Sequence, residues 1–516
     1  MDVSTPDTEP STATHAGPAG RRRNLTEGPI TRTLLAFSLP IMASNALQSL
    51  NGAVNQFWVS HSLGETAVAA LGNANIVMMM LVGSIFGVSM VANILVAQNV
   101  GARNFVMVKK VMGSAITFFL TLSLFMAVFG VRLAPHILGL MNTPPESRAE
   151  AIVYLRIMFA SMPFLYFFAF IQMAQQGAGD SRTPFYFMGL AVMLDVILNP
   201  LLIRGIGPFP KLGIAGSATS TLIAQGVALT CLIIHLYRKN SILMLRGGEL
   251  AFLRPDFKII GALVKRGLPM GLQMFVMSGG AIVMMGYVNH YGAVTSAAYA
   301  MASVVWSYVL MPAMAIGASV SSMAAQNVGA GRWDRVGAIA RSGVFSGMAV
   351  TGAVILALYA LNTAVLSLLL PAGSPALPIA EHINVVVLWS FAVFSVTFAL
   401  SGVVRSTGTV WGPMAILIIA TVVVRLPFAG LLMPYWGPDA IWWSFPLGAM
   451  VSSTLSVLYY RFGPWRKMRI IEEEPHGEVA ETGLVPPTID PPEADELAAE
   501  VMARVRAEAP SSKERV

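Results

Sequence analysis

Runs of about 20 mostly apolar residues, the length that crosses a bilayer as a helix, recur from Leu34 to Phe462 with short polar breaks between them. The hydrocarbon interior offers backbone groups no hydrogen-bond partners, and the runs lack the alternating polarity of barrel strands. The reading is therefore an all-α membrane protein. Composition agrees: 55% of the chain is hydrophobic and 11% charged, with mean hydropathy +0.67. Turn signals place helices near 32–59, 66–96, 108–134, 149–175, 184–204 and 213–237. Six more follow near 262–288, 295–325, 337–370, 377–405, 410–432 and 439–462.

The net charge of +7 does not signal nucleic acid, because Lys and Arg lie between the apolar runs and not on one folded face. They concentrate in alternate breaks, among them Arg103, Lys109 and Lys110, then Arg238 to Arg266, then Arg332, Arg335 and Arg341. Both termini are expected in the cytoplasm of a bacterial-type inner membrane. Arg21 to Arg23 anchor a first helix that is full span length and lacks a small-residue cleavage site, so it is expected to stay uncleaved. Cys231 is the sole cysteine, which excludes an intrachain disulfide and any cysteine metal cluster. No P-loop, zinc or nucleophile pattern appears, so neither ATP drive nor catalysis is indicated.

Ala97-Gln98-Asn99-Val100-Gly101-Ala102 recurs letter for letter at Ala325 to Ala330. At nearly the same offset Leu39-Pro40 matches Leu268-Pro269, Gly64 matches Gly292, Gly179 matches Gly408 and Pro184 matches Pro413. The chain is thus a duplication with a period of about 228 residues. An even number of helices separates the copies, so both insert the same way up and enclose a cleft between them. The expected layout is a disordered tail over 1–28, a six-helix lobe over 29–240, a cytoplasmic linker over 241–261, a second lobe over 262–463 and an acidic tail over 464–516. That tail holds one candidate helix over 493–508.

Several stretches together resemble the multidrug and toxic compound extrusion (MATE) family. These are Val54 to Ser60 followed by Leu63-Gly64, the paired Gln-Asn-Val-Gly-Ala segments, Gln176 to Pro184, and Gly213 to Ala218. The resemblance runs from about Pro29 to Phe462 and is nearer the DinF-like than the NorM-like branch, since no acid stands near Met277 on helix 7 or deep in helix 10. It implies a V-shaped pair of parallel-repeat six-helix lobes that exports cationic, amphipathic small molecules against proton or sodium entry. No further cofactor is implied. A monomer in contact with membrane lipid is expected.

One carboxylate lies deep in an apolar run. Asp195 falls near the middle of helix 5, with Asn199 one turn on and Pro200 freeing the carbonyl of Val196. Helix 1 carries Gln48, Asn51 and Asn55 along one face; helix 6 carries Ser217, Thr221 and Gln225. Such stripes line a wet pocket or hold packed helices together. DinF-like relatives usually carry an aspartate where this chain has Asn55, so Asp195 is expected to take the coupling proton alone, with Asn55, Asn199 and Thr221 as neutral partners. Desolvation disfavours a charged carboxylate, which makes a proton-linked switch there physically reasonable.

Candidates for the substrate cleft are Gln48, Asn51, Gln172, Gln225, Gln273, Met277 and Arg425, and bends are expected at Pro40, Pro200 and Pro269. Arg425 has four open readings: binding an anionic group, pairing with Glu381, snorkelling to the outer headgroups, or packing structurally. A sodium-coupled exporter using the same pocket and a lipid-linked precursor flippase remain alternatives.

Overall fold

The computed structural model describes residues 25–371 and 373–467. Twelve helices in it are long and apolar enough to span a membrane. They are α1 (Ile30–Leu63), α2 (Glu65–Gly101), α3 (Phe105–Leu140), α4 (Pro145–Gly177), α5 (Arg182–Arg204) and α6 (Ile214–Arg238). The second half holds α7 (Phe257–Asn289), α8 (Ala293–Gly329), α9 (Trp333–Ala360), α10 (Ala376–Arg405), α11 (Trp411–Trp436) and α12 (Asp439–Phe462).

Most helices outrun the sequence estimate because polar turns continue the helix beyond the apolar core. At 37 residues each, α2 and α8 extend about 55 Å at 1.5 Å per residue, against roughly 30 Å of hydrocarbon. The ninth span is shorter than expected. It stops at Ala360 and a separate short helix, Asn362–Leu369, follows, so the single helix over 337–370 is corrected to two. Helix 7 starts at Phe257, five residues inside the expected linker, because the Asp256 side chain caps the amides of Lys258 and Ile259. Helices α1, α5 and α7 run unbroken through Pro40, Pro200 and Pro269.

The duplication is visible in the backbone. Gly64 and Gly292, at the turns α1–α2 and α7–α8, have φ of +83° and +88°, a region where a Cβ is strained. Within each half, α2 packs on α4 and α5 on α6; likewise α8 packs on α10, and α10 on α12. The halves meet through α2 against α7 and α8, and through α1 against α8. Their contacts gather at one end. Gln98 Nε2 donates to Ser406 O at 2.6 Å, and its repeat partner Gln326 donates to Gly177 O at 2.7 Å. A Cβ placed on Gly101 lies 1.9 Å from Gln326 O, and one on Gly329 lies 1.8 Å from Gln98 O. Ser322 Oγ donates to Asn93 Oδ1 at 3.1 Å, joining α8 to α2 across the interface between halves. The repeated Gln-Asn-Val-Gly motif is therefore the seam that closes this end of the molecule.

Residues 25–28, expected to be disordered, are instead docked on the second half. Leu25 is buried, Asn327 donates to its carbonyl at 3.1 Å, Arg332 to Thr26 O at 2.7 Å and Arg335 to Gly28 O at 3.1 Å. Trp465 is also buried there and stacks on Tyr460. The remainder of both tails, including the candidate helix over 493–508, lies outside the described residues.

The linker between halves packs on α3. Thr117 Oγ1 donates to Leu253 O at 2.6 Å, and Lys109 pairs with Glu249. The hydrogen bond from Lys109 holds the Glu249 carboxyl below its ordinary range. A carboxyl depressed by folding adds stability above its unfolded value of 4.5, and that stability is lost as pH falls through the lower folded value. For a pair this exposed the contribution is at most about 1 kcal/mol. Lys109→Ala should therefore lower the melting temperature slightly at neutral pH, and the gap from wild type should narrow in melts taken at successively lower pH below 4.5.

Candidate coupling and substrate sites

Three helices of the first half bring their polar stripes together a little beyond mid-depth, away from the closed end. Asp195 of α5 is 2% exposed. Asn51 Nδ2 donates to its Oδ2 at 2.9 Å, Ser220 Oγ to its Oδ1 at 2.6 Å, and Thr221 Oγ1 to both oxygens at 3.3 and 3.4 Å. Tyr154 of α4 is also buried, at 3% exposure. Among the described residues no Lys, Arg or His reaches Asp195. Hydrogen bonds to a charged acceptor are worth about 1.5–3 kcal/mol each. They stabilise the carboxylate yet leave its charge in place.

The donors are not fixed in one arrangement. Ser220 Oγ lies 2.8 Å and Thr221 Oγ1 3.3 Å from Ser217 O, so each hydroxyl has a second acceptor in reach. When Asp195 is ionised both hydroxyls can turn to it; when it is protonated they can turn back to their own helix. Rotation of two hydroxyl hydrogens then suffices to change the hydrogen bonds between α5 and α6.

Asn55 forms the next layer. Asn199 Nδ2 donates to its Oδ1, Ser217 Oγ donates to the same oxygen at 2.9 Å, and Asn55 Nδ2 donates to Thr221 Oγ1 at 3.5 Å. Asn199 Oδ1 is buried without a partner. The structure thus gathers Asp195, Asn199, Asn51, Asn55 and Thr221 in one cluster. It adds Ser220, which the four-residue stride along α6 passes over, although three residues from Ser217 is the same helix face. Gln48 is exposed, Gln172 is half-buried, and neither has a hydrogen bond; Gln225 Oε1 is closed off without a partner.

The second half holds a pocket of about 250 Å³ with opposite chemistry. Arg425 of α11 and Met277 of α7 both line it, with Tyr299, Trp306, Phe391 and Phe445 as its aromatic walls. Gln273, one turn from Met277 toward the closed end, has Nε2 buried without a partner. The Arg425 guanidinium carbon stands 3.4 Å from the centre of the Phe445 ring. Its Nε is closed off with no hydrogen-bond partner, and among the described residues no carboxylate reaches it. The expected pairing with Glu381 does not occur, because Glu381 Oε1 accepts from Thr363 instead. Snorkelling does not occur either; the side chain turns inward over Phe445.

Helix α11 carries a π segment, Ile419–Arg425, flanked by α-helix. A π turn accommodates one extra residue and slips the register of everything after it. Before the slip the repeat offset is 229, from Pro184 to Pro413. At that offset Asp195 corresponds to Val424, and Arg425 is the next residue. The guanidinium of the second half thus stands one residue from the sequence position that matches the carboxylate of the first.

A duplicated bundle of twelve membrane-spanning helices, sealed at one end and with polar sites inside its halves, defines a multi-pass membrane transporter. Residues 40–201 and 269–431 each match the MatE family. The chain is 33% identical over 443 residues to the probable multidrug resistance protein YoeA of Bacillus subtilis (strain 168), across 86% of this chain and 95% of that one. It is 25% identical over 460 residues to the probable multidrug resistance protein NorM of Thermotoga maritima, across 86% and 95%. A solved structure of a multidrug resistance MATE family transporter in the outward-facing conformation superposes with TM-score 0.78 at 20% identity, across 86% of this chain and 98% of that one. The chain belongs to the MatE family, the multidrug and toxic compound extrusion transporters.

Proposed function

We propose that this protein is an antiporter that exports cationic or amphipathic compounds by alternating access, and that a proton taken up by Asp195 drives the cycle. The observation that carries this reading is a buried carboxylate held by neutral donors alone, two of which have a second acceptor at Ser217 O. Proton entry from outside neutralises Asp195, returns Ser220 and Thr221 to their own helix, and loosens the contact with Asn51 on α1. The lost charge releases a bound cation outward. Because α1 also reaches α8 near the closed end, a change at Asn51 is transmitted along one rigid helix to the interface between halves.

A sodium ion is the second reading, favoured by the unpartnered oxygen of Asn199 beside the same cluster. Purified protein in proteoliposomes, loaded with tetraphenylphosphonium as a probe cation, separates the two. Efflux should follow an imposed pH gradient and be indifferent to sodium. Efflux driven by a sodium gradient at equal pH overturns proton coupling.

A further inference from the structure

We infer that the pocket around Arg425 is a substrate subsite for the acidic group of an aromatic ring system. The inference deepens the export reading by naming a substrate class, and its binding test is independent of how export is driven.

Three features point the same way. First, a guanidinium within a membrane span has no hydrogen-bond or carboxylate partner among the described residues, with the face of Phe445 against it and Tyr299 beside it in the same pocket. A ring face attracts the cation but leaves the planar fork of N–H donors unused. That fork matches a carboxylate or phosphate bidentately. Second, the walls supply ring faces: Tyr299 and Trp306 meet edge to face with centroids 5.6 Å apart, and Trp306 meets Phe445 at 4.8 Å. An apolar aromatic chamber with one convergent charge is the chemistry of a small-molecule site. Third, the π segment ends on Arg425 itself. Such insertions are frequent at functional positions.

The volume, about 250 Å³, falls below the roughly 300–1,000 Å³ of sites that enclose a drug-sized ligand. It fits one end of a molecule. Ala281 and Met277 of α7 line it from exposed positions, so the rest of the substrate has room to extend past α7.

The test is equilibrium dialysis of 2-naphthoate and of its neutral analogue 2-naphthamide against the full chain in phosphatidylcholine nanodiscs, with empty nanodiscs as background. Wild type should bind the acid about tenfold or more tightly than the amide. Arg425→Gln should remove that preference, Arg425→Lys should keep part of it, and Asp195→Asn should leave it unchanged. Ala281→Phe, which blocks the mouth from an exposed helix face, should abolish naphthoate binding and tests the pocket independently if the arginine variant does not fold. Equal binding of acid and amide by wild type, or an undiminished preference in both Arg425→Gln and Ala281→Phe, overturns the inference. Loss of proton-driven export in Asp195→Asn with naphthoate binding intact separates this site from the coupling site.

Discussion

Asp195→Asn should reduce proton-driven export to the level of protein-free vesicles while the protein still purifies as a folded species. The substitution keeps shape and volume and removes the titrating group. An amide oxygen can still accept from Ser220, 2.6 Å away in the wild type, so the α5–α6 contact survives. The amide nitrogen, however, turns a donor toward Asn51 Nδ2, which stands 2.9 Å from the carboxylate oxygen it replaces. Donor faces donor unless Asn51 flips. The variant is therefore held in one protonation-like state and cannot respond to a gradient. Energy-independent exchange of a probe cation across the vesicle should persist, since the lobes still move. Proton-driven export at the wild-type rate sinks the coupling role of Asp195, and loss of exchange as well as export shows that the change damaged more than coupling. Ser220→Ala provides the graded comparison. It deletes one donor worth about 1.5–3 kcal/mol to a charged partner, and should slow export without abolishing it.

The duplication, the spans and the polar stripes are legible in the sequence because each rests on spacing. Apolar runs must be long enough to cross a bilayer, and one six-residue motif written twice, with flanking matches at nearly the same offset, marks a copied half. Asn51 meets Asp195 and Asn55 meets Asn199 because a four-residue step holds a helix face toward one neighbour. Ser220 escapes the pattern for the complementary reason: a three-residue step holds the same face, and the stride from Ser217 to Thr221 passes over it. The π segment of α11 cannot be read, since residues 419–425 are mostly ordinary apolar types and the extra residue is a property of hydrogen-bond register. The surroundings of Arg425 depend on which ring of α12 faces it, a matter of packing between distant segments. Docking of residues 25–28 is hidden similarly, because its partners, Asn327, Arg332 and Arg335, lie some 300 residues further along.

A methyl group added at Gly329 should shift the transporter away from its closed end and slow transport more than it weakens either half. The three atoms nearest a Cβ at Gly329 all belong to Gln98, and those nearest a Cβ at Gly101 all belong to Gln326. No atom of the glycine's own half is among them, so the clash exists only while the halves are together. Overpacking of this kind costs about 1–3 kcal/mol, which corresponds to a fall of roughly 5- to 150-fold in the population of the closed arrangement. The lone cysteine makes this measurable. Cys231→Ser yields a cysteine-free chain, and Ser322→Cys then places one thiol at a fully buried point of the seam, facing Asn93. A membrane-impermeant maleimide should label that thiol slowly in the parent and much faster once Gly329→Ala is added, with Gly101→Ala acting alike and the pair more strongly. The thermal midpoint should move little by comparison, because each helix end keeps its own turn. Unchanged labelling in both glycine variants would show that the seam yields to a methyl group and does not hold the halves closed. Faster labelling accompanied by undiminished export would show that opening this end is not the step that limits the cycle. In the expected case, two glycines at equivalent places in a duplicated sequence set how closely the halves approach, and the same symmetry that builds the cleft supplies the latch that shuts one side of it.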